Sequence, residues 1–276
     1  MLPIYQPRES KHFDYTYFGH GPFLGVELEL DVSKPTDTLK LRQTIAEILD
    51  KEDLKNHYFL EIDTTLKNGV EVIFHPHSLE ELQLFLKTSF APVLEALKSK
   101  TELEEDSPYA MFHVHVSKSF FGDSLETQHK NIAKLWYFFS RYPMELLQGI
   151  GQTKLALFTK IYDYNLTQAA AVAKVNTEYT THPAWSRYQA INVNNEKTVE
   201  FRFFRATLDL STMLFFINLC YYFATRAVTA SWEECADWSQ FFKDASPELC
   251  DQLTQALDSK PLFKNPFKNY LIDSSK

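Results

Sequence analysis

Glycine is scarce in this chain, with 7 residues in 276. Neither G-x-G-x-x-G nor G-x-x-x-x-G-K-[ST] occurs, so a nucleotide bound here is not cradled by a glycine-rich phosphate loop. Cysteine is scarcer. Cys220, Cys235 and Cys250 are too few and too scattered for a disulfide framework, and no C-x-x-C occurs, which fits a reducing, cytoplasmic compartment. Basic residues are outnumbered 28 to 36, giving a net charge of −8. Nucleic-acid affinity rests on basic surface, so no nucleic-acid partner is expected, whereas an acidic balance suits recruitment of divalent cations. Long apolar runs are missing too. "MLFFINLCYYFA" is broken by Asn218 and is too short to span a bilayer. "MLPIYQPRES" has neither the basic start nor the apolar centre of a secretory signal. The expectation is a soluble protein with no membrane partner.

What is plentiful is aromatic: 23 Phe and 14 Tyr, in a chain with the ordinary globular share of apolar and charged residues. With no repeat, low-complexity tract or evident linker, the reading is an N-terminal lead-in over 1–22 and one domain over 23–276. A strand is expected at 23–31, then a helix capped by Thr36 or Asp37. "HYFLEID" and "GVEVIF" read as a hairpin turning at Asn68-Gly69. Ser78 and Glu81 form a capping box ahead of a helix that kinks near Pro92. A strand at 111–117 and a helix from about 124 to Pro143 follow. "SRYQAINV" and "TVEFRFF" form a second hairpin around "NNEK". A long helix starts at Asp209, and two shorter ones are capped by Ser231 with Glu234 and by Ser246 with Pro247. Residues 151–183 carry no clear pattern. Hairpins and blocks of helices, without strict βαβ alternation, predict an α+β fold: a mainly antiparallel sheet with helices packed on one face.

Four strands repeat one arrangement. Glu27 and Glu29 share a face opposite Val26, Leu28 and Leu30. His113 and His115 alternate with Val114 and Val116, and Glu200 and Arg202 with Val199, Phe201 and Phe203. Glu71 stands between Val70 and Val72. A wet sheet face explains any one of these strands. A solvated face, however, mixes Lys, Thr and Ser with Glu, and these faces are almost wholly Glu, His and Arg. Carboxylates two apart on a strand lie roughly 6.5–7 Å from each other, so neighbours can serve adjacent cations. Hard divalent ions take carboxylate oxygens, and Mn2+ also accepts a His nitrogen. Glu27, Glu29, Glu71, Glu200 and one histidine would fill much of such an inner shell. His75 and His77 sit at a strand end and before a helix cap, where turn roles are the simpler reading. Arg187 and Arg205 flank the second hairpin, where guanidinium groups can hold phosphate bidentately.

"GVELEL", "GVEVIFHP", "MFHVHVS" and "TVEFRFFRATLD", in this order and spacing, resemble the amidoligase family of the carboxylate–amine ligase superfamily, itself similar to a reduced glutamine synthetase catalytic domain. The resemblance runs from about Phe23 to Tyr222, leaving out 151–183 and the helices from about 231. It implies a curved sheet with the active site on its concave face, and an ATP-dependent ligase joining a small-molecule or peptide carboxylate to an amine through an acyl phosphate, with Mg2+ or Mn2+. Residue by residue, it implies metal ligation by Glu27, Glu29, Glu71, His113 and Glu200. His115 would lie toward the ATP phosphates. Arg202, with Arg187 on the preceding strand, would contact the transferred phosphoryl group, and Arg205 would help bind nucleotide. Where the family often has an acidic residue before the turn, this chain offers Glu61 or Asp63 to complete the metal set, with Asp63 a loose equivalent. The small N-terminal domain of glutamine synthetase is missing, so no inter-subunit active site is implied. Two rival readings use the same residues: a metal-dependent hydrolase, and a non-catalytic protein that keeps the fold and binds ATP and metal.

Overall fold

The structure, a computed structural model, describes residues 2–6, 14–31, 37–51, 54–63, 66, 68–101, 103, 110–143, 145–146, 165–181 and 189–259. The chain divides into two compact units, Met1–His115 with Arg205–Phe216, and Val116–Phe204 with Ile217–Lys276.

In the first unit, alternating residues build β2 (Leu24–Leu30), and the expected hairpin is β3 (Tyr58–Glu61) with β4 (Val70–Phe74), antiparallel to each other. β4 also pairs antiparallel with β2. Just before β4 the chain passes close against the end of β2: a Cβ on Gly69 would lie 1.6 Å from the Leu30 carbonyl oxygen, so only glycine permits the approach. A short β1 (Ile4–Tyr5) lies parallel to β3 at the sheet edge, giving the lead-in a regular element that its sequence does not announce. The strand order is β1-β3-β4-β2-β5. β5 (Met111–Ser117) passes from the first unit into the second at Val116.

One face of the first unit's strands is apolar and packed. Tyr58 and Phe74 meet Phe90 edge-on, and the Tyr58 hydroxyl donates to the Leu49 carbonyl at 2.8 Å. These contacts seat α1 (Thr38–Leu49), whose N-cap is Asp37, and the helical stretch from α2 (Leu79–Phe85) to α3 (Ala91–Lys100). The kink expected near Pro92 takes the form of a π-helical turn over Leu86–Phe90. Proline has no N–H to donate back to the preceding turn, and the wider turn ends just before it.

The second unit holds α4 (Leu125–Arg141), α5 (Gln168–Thr181), the antiparallel pair β6 (Ile191–Asn192) and β7 (Thr198–Arg205), and the later helices. α6 (Leu210–Thr229) begins in the first unit and continues into the second at Ile217. α7 (Trp238–Phe241) and α8 (Pro247–Asp258) complete it. Phe138 stacks on Phe241 at 3.8 Å in the aromatic core. Two expectations change in detail. The strand in "SRYQAINV" shrinks, among the described residues, to β6. The Ser231–Glu234 capping box forms reciprocally, at 2.7 and 3.2 Å, yet opens only a 3-10 turn at Glu234–Ala236. Asp237 is extended there, which stops the helix and lets its side chain cap α7 instead. Among the described residues, no helix is long and apolar enough to cross a membrane.

Candidate metal centre

Strand register gathers the acidic residues of the first unit. Glu29 stands opposite Glu71, and Glu71 opposite Glu61, so three carboxylates form one row across three neighbouring strands. Directly opposed residues in antiparallel strands have Cβ atoms about 4.5–5.5 Å apart, and like charges there repel. These three are also buried, at 2%, 6% and 7% exposure for Glu29, Glu71 and Glu61. The next row on the same face is Glu27, Ile73 and Phe59.

β5 brings histidines to this face. His113 Nδ1 lies 3.0 Å from Glu27 Oε2, and His115 Nε2 lies 3.0 Å from Glu27 Oε1. His113 Nε2 is 3.7 Å from Glu29 Oε1, while the Met111 N–H donates to the other Glu29 oxygen at 2.7 Å. One oxygen each from Glu29 and Glu71 and one nitrogen of His113 lie within 4.8 Å of one another. A hard cation with ligand bonds of about 2.0–2.6 Å gathers atoms at such separations.

The electrostatics divide the carboxylates. Burial pulls the Glu27 carboxyl upward, but His115 and His113 outweigh it and hold the group well below the usual carboxylate range. Glu71 goes the other way. Burial, then the charges of Glu27, Glu29 and Asp63, push its carboxyl well above that range. Burial and the neighbouring charges favour the protonated form of Glu71, and a divalent ion at the row would compete with that proton.

The remaining expected residues fall as follows. Glu61 occupies a register position in the row, whereas Asp63 lies two residues beyond the end of β3, half-buried and near enough to act on Glu71. Glu200 and Arg202 belong to the second unit, on β7. Asn192 and Asn195 donate to Glu200 Oε2 at 2.8 and 3.0 Å, and the Arg202 guanidinium bonds its other oxygen. Arg205 is exposed at the end of β7. Arg187 lies outside the described residues.

His75 and His77 enter a ring stack. His77 Nδ1 donates to the His75 carbonyl at 2.6 Å, which leaves its Nε2 to accept from His57 Nδ1 at 3.0 Å. Phe18 lies on His57 and His77, at 4.2 and 4.5 Å between ring centres. Burial pushes the His77 imidazole down to about 4.

One neighbour of the carboxylates was missed. Tyr15, in the lead-in, packs edge-on to His75 at 5.8 Å and tilted against Phe59 at 6.0 Å between ring centres. The Thr16 N–H donates to His75 Nδ1 at 3.3 Å, and Phe18 pairs by backbone with Pro76 and Ser78. Burial, followed by the charges of Glu27, Glu61 and Glu71, pushes the Tyr15 phenol up to about 12. Irregular backbone has no periodicity to reveal such a residue. The nearest signal was the aromatic density of "FDYTYF" ahead of an acidic strand.

No family model matches the chain, and no curated protein matches it.

Proposed function

We propose that the chain is an ATP-dependent carboxylate–amine ligase that uses divalent cations, with Glu29, Glu71 and His113 among the residues that hold them. The observation that carries this reading is the buried row of Glu61, Glu71 and Glu29, opposed across three strands and bordered by His113. Three adjacent acidic groups on a rigid sheet are costly unless a cation or a proton sits among them. The donor set of carboxylate oxygens with one imidazole suits Mg2+ or Mn2+. Bound there, such an ion supplies positive charge to phosphate oxygens during phosphoryl transfer.

Glu27 serves as the anchor that orients both histidines, with Oε2 hydrogen-bonded to His113 Nδ1 and Oε1 3.0 Å from His115 Nε2. The choice of a ligase, through an acyl phosphate, rests on the family resemblance. So do the parts given to Glu200 as a further metal ligand, to Arg202 and Arg187 at the transferring phosphoryl group, and to His115 and Arg205 at the nucleotide. The curved, glutamine synthetase-like form of the sheet is part of the same proposal.

The test is ADP release across a panel of acids and amines with Mg2+ or Mn2+. We expect release that requires cation, acid and amine together. Amide cleavage without nucleotide would refute the ligase and favour the hydrolase. Binding of metal and ATP with no turnover across the panel would leave a non-catalytic binding protein.

A further inference from the structure

The histidine stack of the first unit has one open end. His57 and His77 lie side by side, joined by a hydrogen bond of 3.0 Å, with their planes 19° apart. Phe18 stacks on both, and so does Phe85, at 4.3 Å from His57 and 5.6 Å from His77 between ring centres. Two rings at those separations cannot occupy the same side, so the imidazole pair is sandwiched between them. Phe85 in turn meets Phe74 and Phe90 of the packed core. Phe18, at the other end, meets no further ring among the described residues. Its backbone bonds to Pro76 and Ser78, at 2.9 and 2.8 Å, fix where it stands.

Phe18 lines a cavity of about 620 Å3 that lies wholly in the first unit and falls within the size range of small-molecule pockets. Tyr5, Phe59 and His75 give the cavity further ring surface. Asp14 and Lys55 are the charged residues of its lining, and burial lowers the His75 pKa, which keeps that ring neutral, so the charges balance and a neutral ligand suits the space. Two polar groups on the lining have no partner among the described residues. The Thr16 N–H donates to His75 Nδ1 at 3.3 Å, so the neutral ring carries its proton on Nε2, a donor without an acceptor. The Asp14 carboxylate is an acceptor without a donor. An aromatic wall with one such acceptor and one such donor complements a flat ring that offers both an N–H and a ring nitrogen at its edge. A plain phenyl ring offers neither, and an anion would be repelled by Asp14.

We infer that the cavity is a binding site for an amino-substituted nitrogen heteroaromatic ring, which stacks on the open face of Phe18, donates from its amino group to Asp14 and accepts from His75. The inference does not rest on the cation reading: no residue of the acidic row lines the cavity, and neither His115 nor Arg205 does.

The experiment titrates adenine into the full chain by equilibrium dialysis, in chelator, so that cation binding plays no part. We expect adenine to bind, and hypoxanthine, which has a carbonyl in place of the amino group, to bind roughly tenfold more weakly, the worth of a hydrogen bond to a charged acceptor. Asp14 is exposed, so Asp14→Asn should leave the Tm unchanged. It should also shrink the preference for adenine to about twofold, because an amide both donates and accepts. Phe18→Leu should weaken both purines by about tenfold or more through lost stacking. No adenine binding at millimolar concentration overturns the inference. Equal binding of the two purines to the unaltered chain also overturns it, as does a preference for adenine that survives Asp14→Asn. ATP, titrated the same way, separates the sources of the ring. Tighter binding than adenine assigns the ring to a nucleotide and weaker binding to a free heterocycle, and either result upholds the site.

Discussion

Glu71 and Glu200 are both buried glutamates in the middle of β-strands, and each looks across at a polar partner. Glu71 looks at two more carboxylates, Glu29 and Glu61. Glu200 looks at Asn192, receives a second amide from Asn195, and is bonded by Arg202. The second carboxylate is compensated within its own hairpin by donors two to eight residues away. The first stands among carboxylates, and burial together with their charges pushes its own carboxyl upward. Sequence alternation makes the two strands look alike. The partners across the sheet give Glu200 amide and guanidinium donors and give Glu71 two further carboxylates.

The comparison breaks most easily at Arg202. Arg202→Met leaves Glu200 buried without its cationic partner, and we expect a loss of about 3 kcal/mol, or roughly 6–12 °C in Tm, read by thermal unfolding. The double variant with Glu200→Gln should recover much of that loss. If Arg202→Met alone unfolds no earlier than the unaltered chain, the guanidinium does not compensate Glu200.

In the acidic row the expected effect lies on binding. Glu29→Gln keeps an oxygen that accepts from the Met111 N–H but removes the negative charge from the row, and Mn2+ affinity should fall by a factor on the order of 100. Mn2+ should also raise the Tm of the unaltered chain, since an ion that binds only the folded state stabilises it. No rise at millimolar Mn2+ would count against the row as a cation site.

Glu71 gives the contrast a sign. Its folded-state pKa is raised, so the stability it contributes is complete below the ordinary carboxylate value of 4.5 and is lost as pH rises toward the folded value. In chelator, the unaltered chain should lose stability on going from pH 5 to pH 8, and Glu71→Gln, which cannot ionise, should lose less. Parallel pH curves for the two proteins would show that no proton is held there.

The smallest effect belongs to the histidine stack, which lies on the same unit but carries no charge. With the His77 imidazole at about 4 when folded and 6.5 ordinarily, its contribution is full above 6.5 and fades as pH falls toward 4. After allowance for partial solvent access, we expect a loss on the order of 1 kcal/mol over that window. His77→Phe keeps a ring between its neighbours and should flatten the acid limb; an unchanged limb would place the titration elsewhere.

Much of the architecture was readable before any coordinates. Ser78 and Ser246 cap their helices as read, and so does Asp37, one of two candidates, because a short side-chain oxygen ahead of an apolar, helical period serves N–H groups that nothing else can reach. The reading lost accuracy where local signals compete or vanish. Ser231 and Glu234 form their box, yet an extended Asp237 ends the turn. α5 has weak amphipathic character and arose from a stretch without a visible pattern.

The sequence alone determined that Glu27 shares a face with Glu29 and His113 with His115, because side chains on any strand alternate with a period of two. It also determined that the opposite faces must be covered by helices. Only the tertiary structure decided that Glu61 stands beside Glu71 in the row, that His113 and His115 both turn to Glu27, and that Tyr15 of the lead-in packs on Phe59 and His75. The reason is register: a shift of one residue between strands would have sent the same glutamates to the apolar face, and no local pattern specifies which residue of one strand lies opposite which of the next.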